Sequence, residues 1–329
     1  MSHAGGEPYC QTTGVAISVW PLPRYYSDVK NPVTQLVRSW SEWRRQQSLH
    51  GTFSFGDAAM QVGRVILPAR LHSAAAGRRL ASEAEISPSG DAWEVRLPGY
   101  DLSFFWPSEP DHNLHFVIEQ EFSPANPHHY TTTPIQLTGD STVLDVGACE
   151  GLFAFRALRE RLARRLVCFE PSATMAALLR RGAEVNDQAE QITIEPSGVG
   201  NQTGQARMVA GDNPDAGHLE YMPIGSDRAD AVPVTTIDDY CESNGLALGS
   251  GDLIKADAEG ADLDVLFGAE KQICKHAPQL AITTYHVDDH AERMIEWLRQ
   301  IRPDYKLRLK GLSFWTTRPR PVLLQASTL

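Results

Sequence analysis

Beyond about residue 136 this 329-residue chain predicts an α/β fold built on a mostly parallel sheet. Three observations predict it. Short apolar runs alternate with stretches of helical periodicity. The first run, Thr142–Val146, ends in a carboxylate sequence and enters a glycine turn. The chain closes on two strands with no room for a helix between them. Repeated strand–helix units require crossover connections, hence parallel strands with helices on both faces. The closing pair must be a hairpin, which places one antiparallel strand in a seven-stranded sheet.

The first part of the chain reads differently. Residues 1–30 mix Gly, Pro and polar residues and are expected to be largely irregular. Over 31–45, Val33, Leu36, Val37 and Trp40 recur at helical spacing behind Pro32, which predicts an amphipathic helix docked on the rest of the protein. Ala92–Leu97 and Leu102–Trp106 flank the turn Pro98-Gly-Tyr-Asp101 as a hairpin. Residues 1–125 are therefore expected to form a smaller mixed region, which helps shape an acceptor pocket or lid. The Pro- and Thr-rich stretch 123–134 is the junction to a second domain, 126–329. Within it, His128-His129-Tyr130 reads as a surface linker or part of a lid.

In the second domain, strand 142–146 precedes helix 151–164, and strand 166–169 precedes helix 172–186. Strand 191–199 is followed by an irregular segment to about residue 230. Val232–Thr236 then leads into a short helix over 237–244. Strand 252–256 precedes helix 261–274, strand 279–285 precedes helix 289–300, and strands near 305–310 and 320–326 close the chain. Arg156, Arg159, Arg164 and Arg165 read as a solvated basic face.

Chemistry concentrates at the strand ends. Asp145 closes the first strand. In the turn Gly147-Ala148-Cys149-Glu150-Gly151 the glycines let backbone approach a ligand, and the following helix offers unpaired N–H groups. Glu170, one strand–helix unit later, suits a ribose diol, with Pro171 turning the chain away. The dinucleotide fingerprint would put a pyrophosphate at the turn, where Glu150 would repel it. S-adenosylmethionine has no phosphate and carries a sulfonium and an ammonium, so Asp145 and Glu150 fit it better.

Composition bounds the partners. A formal charge of −11 argues against nucleic acid. No apolar run approaches the roughly 20 residues of a membrane span, and no signal-peptide core opens the chain. Five scattered cysteines with no C-x-x-C spacing suggest neither a disulfide framework nor a zinc site, so a reducing cytoplasm is expected.

The element order is characteristic of class I methyltransferases, and residues 120–326 resemble the FkbM family of S-adenosylmethionine-dependent methyltransferases. The matching pieces are Asp145-Val-Gly-Ala-Cys-Glu-Gly151, Phe169-Glu-Pro171 and Val234-Thr-Thr-Ile-Asp238. Ile254-Lys-Ala-Asp-Ala-Glu-Gly-Ala261 and Tyr285-His286 complete the set. The resemblance implies methylation of a hydroxyl on a sugar or polyketide-type small molecule. One departure is Cys149, where the family usually has Asn lining the methionine part of the cofactor. The N-terminal third resembles the family only diffusely.

Roles follow for each site residue. Asp145 is expected to receive the cofactor ammonium, directly or through water, or else simply to cap the turn. Ser197 and Gly198, ending the third strand, would meet the adenine edge. Asp257 and Glu259 fall at the carboxyl end of the fourth strand, facing the ligand crevice, with Lys255 pointing the other way or snorkelling. Asp257 would meet the ammonium or the acceptor, or cap the helix at 261. His286, ending the fifth strand, would be the general base, the alternative being a histidine bonded into a turn. Asp257, Glu259, Asp288 and Asp289 could instead gather Mg²⁺. Alternatives from other classes are a carboxylate, phenol or amine acceptor, a catalytically silent nucleoside-binding module, and a nicotinamide-linked oxidoreductase.

Overall fold

Residues 32–49, 75–209, 218–222, 231–313 and 318–329, with Gly56, Ala59 and Thr316, are described in a computed structural model. The irregular stretch expected over 1–30 lies outside them. Helix α1 (Pro32–Leu49) starts on its proline, which has no N–H to lose. Among its described side chains, Val37 and Trp40 of the expected stripe face solvent, Ser39 and Gln46 are buried, and Trp43 packs against the core; the side chains of Val33 and Leu36 lie outside those described. Gln46 donates to Glu292 at 3.0 Å and Arg45 pairs with the same carboxylate at 2.5 Å, so polar contacts join Trp43 on this face.

Helix α2 (Ala75–Ser82) leads into β1 (Glu85–Ser89), β2 (Ala92–Leu97) and β3 (Leu102–Trp106), an antiparallel sheet in that order. The expected hairpin is β2–β3. Strand β1 is an additional edge strand, half exposed and carrying Pro88, so it shows no apolar alternation. Helix α3 (His112–Phe122) buries Leu114, Ile118 and Phe122 at four-residue spacing, and Asp111 caps it by accepting from the Asn113 and Leu114 N–H groups.

Next come β4 (Thr142–Val146), α4 (Leu152–Arg159), β5 (Arg165–Phe169), α5 (Ala173–Val185) and β6 (Ile192–Glu195). Where a single strand 191–199 was expected, the ladder stops at Glu195. Pro196 has no N–H to continue it, and β7 (Gly198–Val199) joins a different sheet. That sheet runs β7–β10–β8–β9, with β8 (Gly204–Val209), β9 (His218–Tyr221) and β10 (Ala231–Thr235). Part of the segment expected to be irregular is therefore stranded.

Helix α6 (Ile237–Ser243), β11 (Leu253–Ala256), α7 (Asp262–Phe267), α8 (Glu270–His276), β12 (Gln279–Thr283), α9 (His290–Ile301), β13 (Lys306–Leu312) and β14 (Pro321–Ser327) complete the chain. The single helix expected over 261–274 is two. In the Val-Thr-Thr-Ile-Asp motif, Thr236 caps its own helix through the Asp239 N–H at 2.9 Å. Asp238 reaches across to accept from the Lys271 and Gln272 N–H groups at 2.9 and 3.0 Å, anchoring α8.

The main sheet has seven strands in the order β13–β14–β12–β11–β4–β5–β6. Its neighbours from β12 to β6 are parallel, and β14 is antiparallel to both β12 and β13. One face packs on α6 to α9. On the other, Val95, Phe104 and Trp106 of the small sheet and Leu114 and Ile118 of α3 share a core with Leu152, Phe155 and Leu179 of α4 and α5.

Arg156, expected on a solvated face, is instead 2% exposed. It donates to Glu121 at 2.5 Å and Glu160 at 2.6 Å, because a guanidinium enters a core only when paired. His128, His129 and Tyr130 are buried too, not a surface linker. Lys310 donates to the His129 carbonyl at 2.8 Å, and Gln325 to the Tyr130 carbonyl at 2.8 Å, fixing the segment against the closing hairpin.

Burial, with Arg156 and Lys310 nearby, pushes the His129 imidazole down to about 2. An unfolded His129 protonates near pH 6.5 while the folded one stays neutral, so the unfolded state binds the extra proton as pH falls. His129 should therefore remove about 2 kcal/mol of stability between pH 7.5 and 5. Urea titrations of wild type and His129→Phe should diverge by that amount over this interval; parallel curves would contradict it.

Candidate active site

The turn after β4 is shaped by three left-handed residues, Gly147 (φ 72°), Cys149 (φ 48°) and Gly151 (φ 89°). The Gly147 and Ala148 N–H groups donate to the Phe169 carbonyl at 3.0 and 3.2 Å, holding the turn against the end of β5. On its other side a Cβ at Gly147 would lie 2.0 Å from the Asp257 carbonyl oxygen, so only glycine permits the approach of β11. Cys149 pays for its conformation more than Asn would, since Asn tolerates the left-handed region better.

Asp145 does not open onto this turn. It is fully buried, and Lys255 Nζ lies 2.7 Å from its Oδ1. Lys255 was expected to point the other way or snorkel, but residues 255 and 257 share a strand face, and Lys255 sits directly beside Asp145 in the parallel register. Its ammonium also donates to the Gly147 carbonyl at 2.9 Å. Burial opposes charge on Lys255, yet the Asp145 and Asp257 carboxylates hold its pKa above the ordinary lysine value. Burial raises the Asp145 pKa, with Lys255 working against the rise. Asp145 thus spends its charge on an internal counter-ion and braces the turn from beneath.

Glu170 is the carboxylate that does border the turn. Its Oε2 accepts from the Cys149 N–H and its Oε1 from the Ser172 N–H, each at 2.8 Å. Burial raises its pKa, and these two backbone donors oppose the shift. Pro171 follows it ahead of the Ser172 cap of α5, and Glu150 is buried in the turn itself. Ser197 and Gly198 do not end the third strand. Ser197 lies in the bend after Pro196, and Gly198 pairs with Val234 in the second sheet.

A second group gathers beyond β11. Asp257 Oδ2 accepts from the Tyr130 hydroxyl at 2.7 Å. His286 Nε2 stands 3.6 Å from Asp257 Oδ1 and 3.5 Å from Glu259 Oε2. Its Nδ1–H donates to Asp262 Oδ2 at 2.8 Å. Asp262 is fully buried and also accepts from Thr283 at 2.7 Å and from the Ala258 and Gly260 N–H groups at 2.8 and 3.2 Å. Glu259 is not part of the strand, which ends at Ala256; it is turned toward His286 by a left-handed backbone at Glu259 and Gly260.

Burial alone would lower the His286 pKa, but Asp262, Asp257 and Glu259 raise it to about 9. Asp262 is correspondingly held below the ordinary aspartate range: burial opposes this, and His286 and its other donors prevail. In this state the imidazole is protonated on both nitrogens near neutrality and has no lone pair, contrary to its expected role as base. The four proposed Mg²⁺ ligands do not converge either. Asp288 pairs with Arg320 at 2.5 Å, and Asp289 lies 3.8 Å from Arg293.

Asp262 and Thr283 belong to the site but were not singled out from sequence, and Tyr130 entered only as part of a linker or lid. Asp262 opens α7 without capping it, and accepts instead from the N–H groups of the loop before it. Tyr130 lies more than a hundred residues from its partner Asp257, and nothing local marks it. Ring contacts continue outward, from His286 to Tyr285 (4.1 Å between centroids), to His128 (5.1 Å) and to Phe116 of α3 (6.0 Å).

Two substitutions test the turn. Gly147→Ala should cost about 2–5 kcal/mol through clash and left-handed strain. Cys149→Asn should be neutral or stabilising by up to about 1 kcal/mol. Chemical denaturation of both variants checks the pair, and an unaffected Gly147→Ala would contradict the packing described.

Comparison with known proteins gave matches over part of the chain. Residues 145–305 match the family described as methyltransferase FkbM domain. A curated relative, 2-O-methyltransferase NoeI of Sinorhizobium fredii (strain NBRC 101917 / NGR234), is 29% identical over 148 residues, 41% of this chain and 60% of that protein. The crystal structure of methyltransferase FkbM from Methylobacillus flagellatus KT is 21% identical with a TM-score of 0.44. Its match covers 66% of this chain and 55% of that one. An rRNA methylase from Streptococcus thermophilus is 12% identical with a TM-score of 0.37, covering 59% of this chain and 89% of that one. The chain therefore spans less than two thirds of the first two relatives' length. Residues 145–305 are thus similar to the FkbM methyltransferase domain.

Proposed function

We propose that the protein is an S-adenosylmethionine-dependent O-methyltransferase acting on a hydroxyl of a small molecule, a sugar or natural-product intermediate. The observation that carries this reading is the pair of strand-end carboxylates, Glu170 and Asp257, on either side of a glycine turn that also contains Glu150. Glu170 would accept from the ribose diol, and the turn Gly147–Gly151 would lie along the methionine part. The adenine would be met near the end of β6, where Ser197 and Gly198 follow. A sulfonium donor is favoured over a pyrophosphate cofactor by the same carboxylates. With Asp145 neutralised by Lys255, the donor's ammonium falls to Glu150 and Asp257.

The match to the FkbM domain and the name of the 2-O-methylating relative support a hydroxyl acceptor. When bound, the donor supplies an activated methyl group. The chain's own task is to align the hydroxyl with it and take up the proton. The Asp257–Glu259–His286 corner offers the carboxylates for that step, with Tyr130 orienting Asp257. The ring contacts from His286 to Phe116 support a part for the N-terminal region, residues 1–125, in bordering the acceptor, with 126–329 as the donor-binding domain. A cytoplasmic setting fits the absence of a disulfide among the described cysteines Cys149, Cys168, Cys241 and Cys274.

Radiolabelled methyl transfer from S-adenosylmethionine to a panel of sugars, polyols, phenols and carboxylates tests the reading. Label should pass to a hydroxyl compound. Asp257→Asn should lower kcat about 10²-fold or more while leaving the core fold intact. Transfer only to carboxylates, or full turnover in Asp257→Asn, would overturn the mechanism.

A further inference from the structure

We propose that Asp257, Glu259 and His286 bind one divalent transition-metal ion, with Asp262 orienting the histidine. His286 is the decisive group. Its side chain is 9% exposed, and Nε2 is buried without a hydrogen-bond partner, aimed between the Asp257 and Glu259 carboxylates. Those oxygens stand 3.6 and 3.5 Å away. Ligand atoms about 2.1 Å from a common ion lie roughly 3.4 Å apart in tetrahedral and 3.0 Å in octahedral arrangement, so each carboxylate stands near ligand spacing from Nε2, and the two carboxylates would draw together on the ion.

The surroundings are those of a metal-binding histidine. Asp262 takes the Nδ1–H at 2.8 Å, so an ion entering the site need displace only the proton on Nε2. Asp262 is in turn held by Thr283 and two loop N–H groups. Tyr130 holds Oδ2 of Asp257, and Thr283 stands 3.2 Å from Oδ1, the oxygen turned toward the histidine. One imidazole with two carboxylates suits Mn²⁺ or Zn²⁺ better than Mg²⁺, which prefers oxygen donors and octahedral geometry. Three protein ligands leave a position for an oxygen of the acceptor. If the methyl-transfer reading holds, the ion would acidify an acceptor hydroxyl, whose proton would pass to solvent as the oxygen takes the methyl group and the sulfonium carbon–sulfur bond breaks. Only this last step rests on that reading.

The binding test uses neither donor nor acceptor. Chelator-treated full-length protein is titrated with Mn²⁺ alone, the free ion being followed by electron paramagnetic resonance, then with Zn²⁺ in competition and with Mg²⁺. One Mn²⁺ should bind per chain, displaced by Zn²⁺, with Mg²⁺ at least tenfold weaker. Asp262→Asn should weaken Mn²⁺ binding about 10- to 100-fold, and His286→Ala at least as much. Glu259→Gln, on a turn outside the sheet, gives the same reading if His286→Ala does not fold. Asp288→Asn should leave binding unchanged. No saturable binding, or equal affinity in wild type and Glu259→Gln, would overturn the site. Failure of donor binding alone would tell against the methyl-transfer reading instead.

Discussion

The buried pair Asp145–Lys255 is the interaction on which the site depends. Two charges leave water at the centre of a parallel sheet, and only close mutual contact makes that tolerable. The partners come from adjacent strands, β4 and β11, in direct register, and Lys255 adds a hydrogen bond to the Gly147 carbonyl. One ammonium therefore locks the strand that carries the glycine turn to the strand that carries Asp257. Removing either partner would strand a charge in the core and release both strand ends together.

This arrangement redistributes the roles of the acidic residues. Asp145 is structural, and its negative charge is cancelled where it stands. Glu170, beside the turn, uses both oxygens to organise the Cys149 and Ser172 N–H groups while keeping lone pairs for a ligand. Asp257, Glu259 and Asp262 surround His286 on a neighbouring strand end. A chain of carboxylates thus runs along the carboxyl edge of the sheet, which is where open α/β sheets bind ligands. The N-terminal region is tied to this edge by more than apolar contact. Arg156 pairs with Glu121 of α3, and Tyr130 reaches Asp257 from the connecting segment.

Much of this was legible in the sequence because its signals are local. Alternation of apolar runs gave the strands of the main sheet, and the impossibility of a helix between the last two gave the hairpin. The glycine turn and Glu170 were readable because special backbone conformations and strand-end carboxylates leave marks within a few residues. What escaped is non-local or lacks periodicity. The edge strand β1 has no buried face to alternate. Lys255 is a matter of strand parity and register with a residue more than a hundred positions away. Arg156 and the His128–Tyr130 segment look solvated until Glu121, Lys310 and Gln325 are brought to them by the fold. Pro196, readable as a ladder breaker, marks the end of the third strand, and the residues beyond it belong to another sheet.

The turn and Glu170 together make up the proposed adenosyl-donor site. Isothermal calorimetry with S-adenosylhomocysteine, the product lacking the transferred methyl, reads that site without any acceptor. One molecule should bind per chain, and Glu170→Ala should weaken it tenfold or more, about 1.4 kcal/mol. An absence of binding heat across several temperatures, or an affinity indifferent to Glu170, would contradict it.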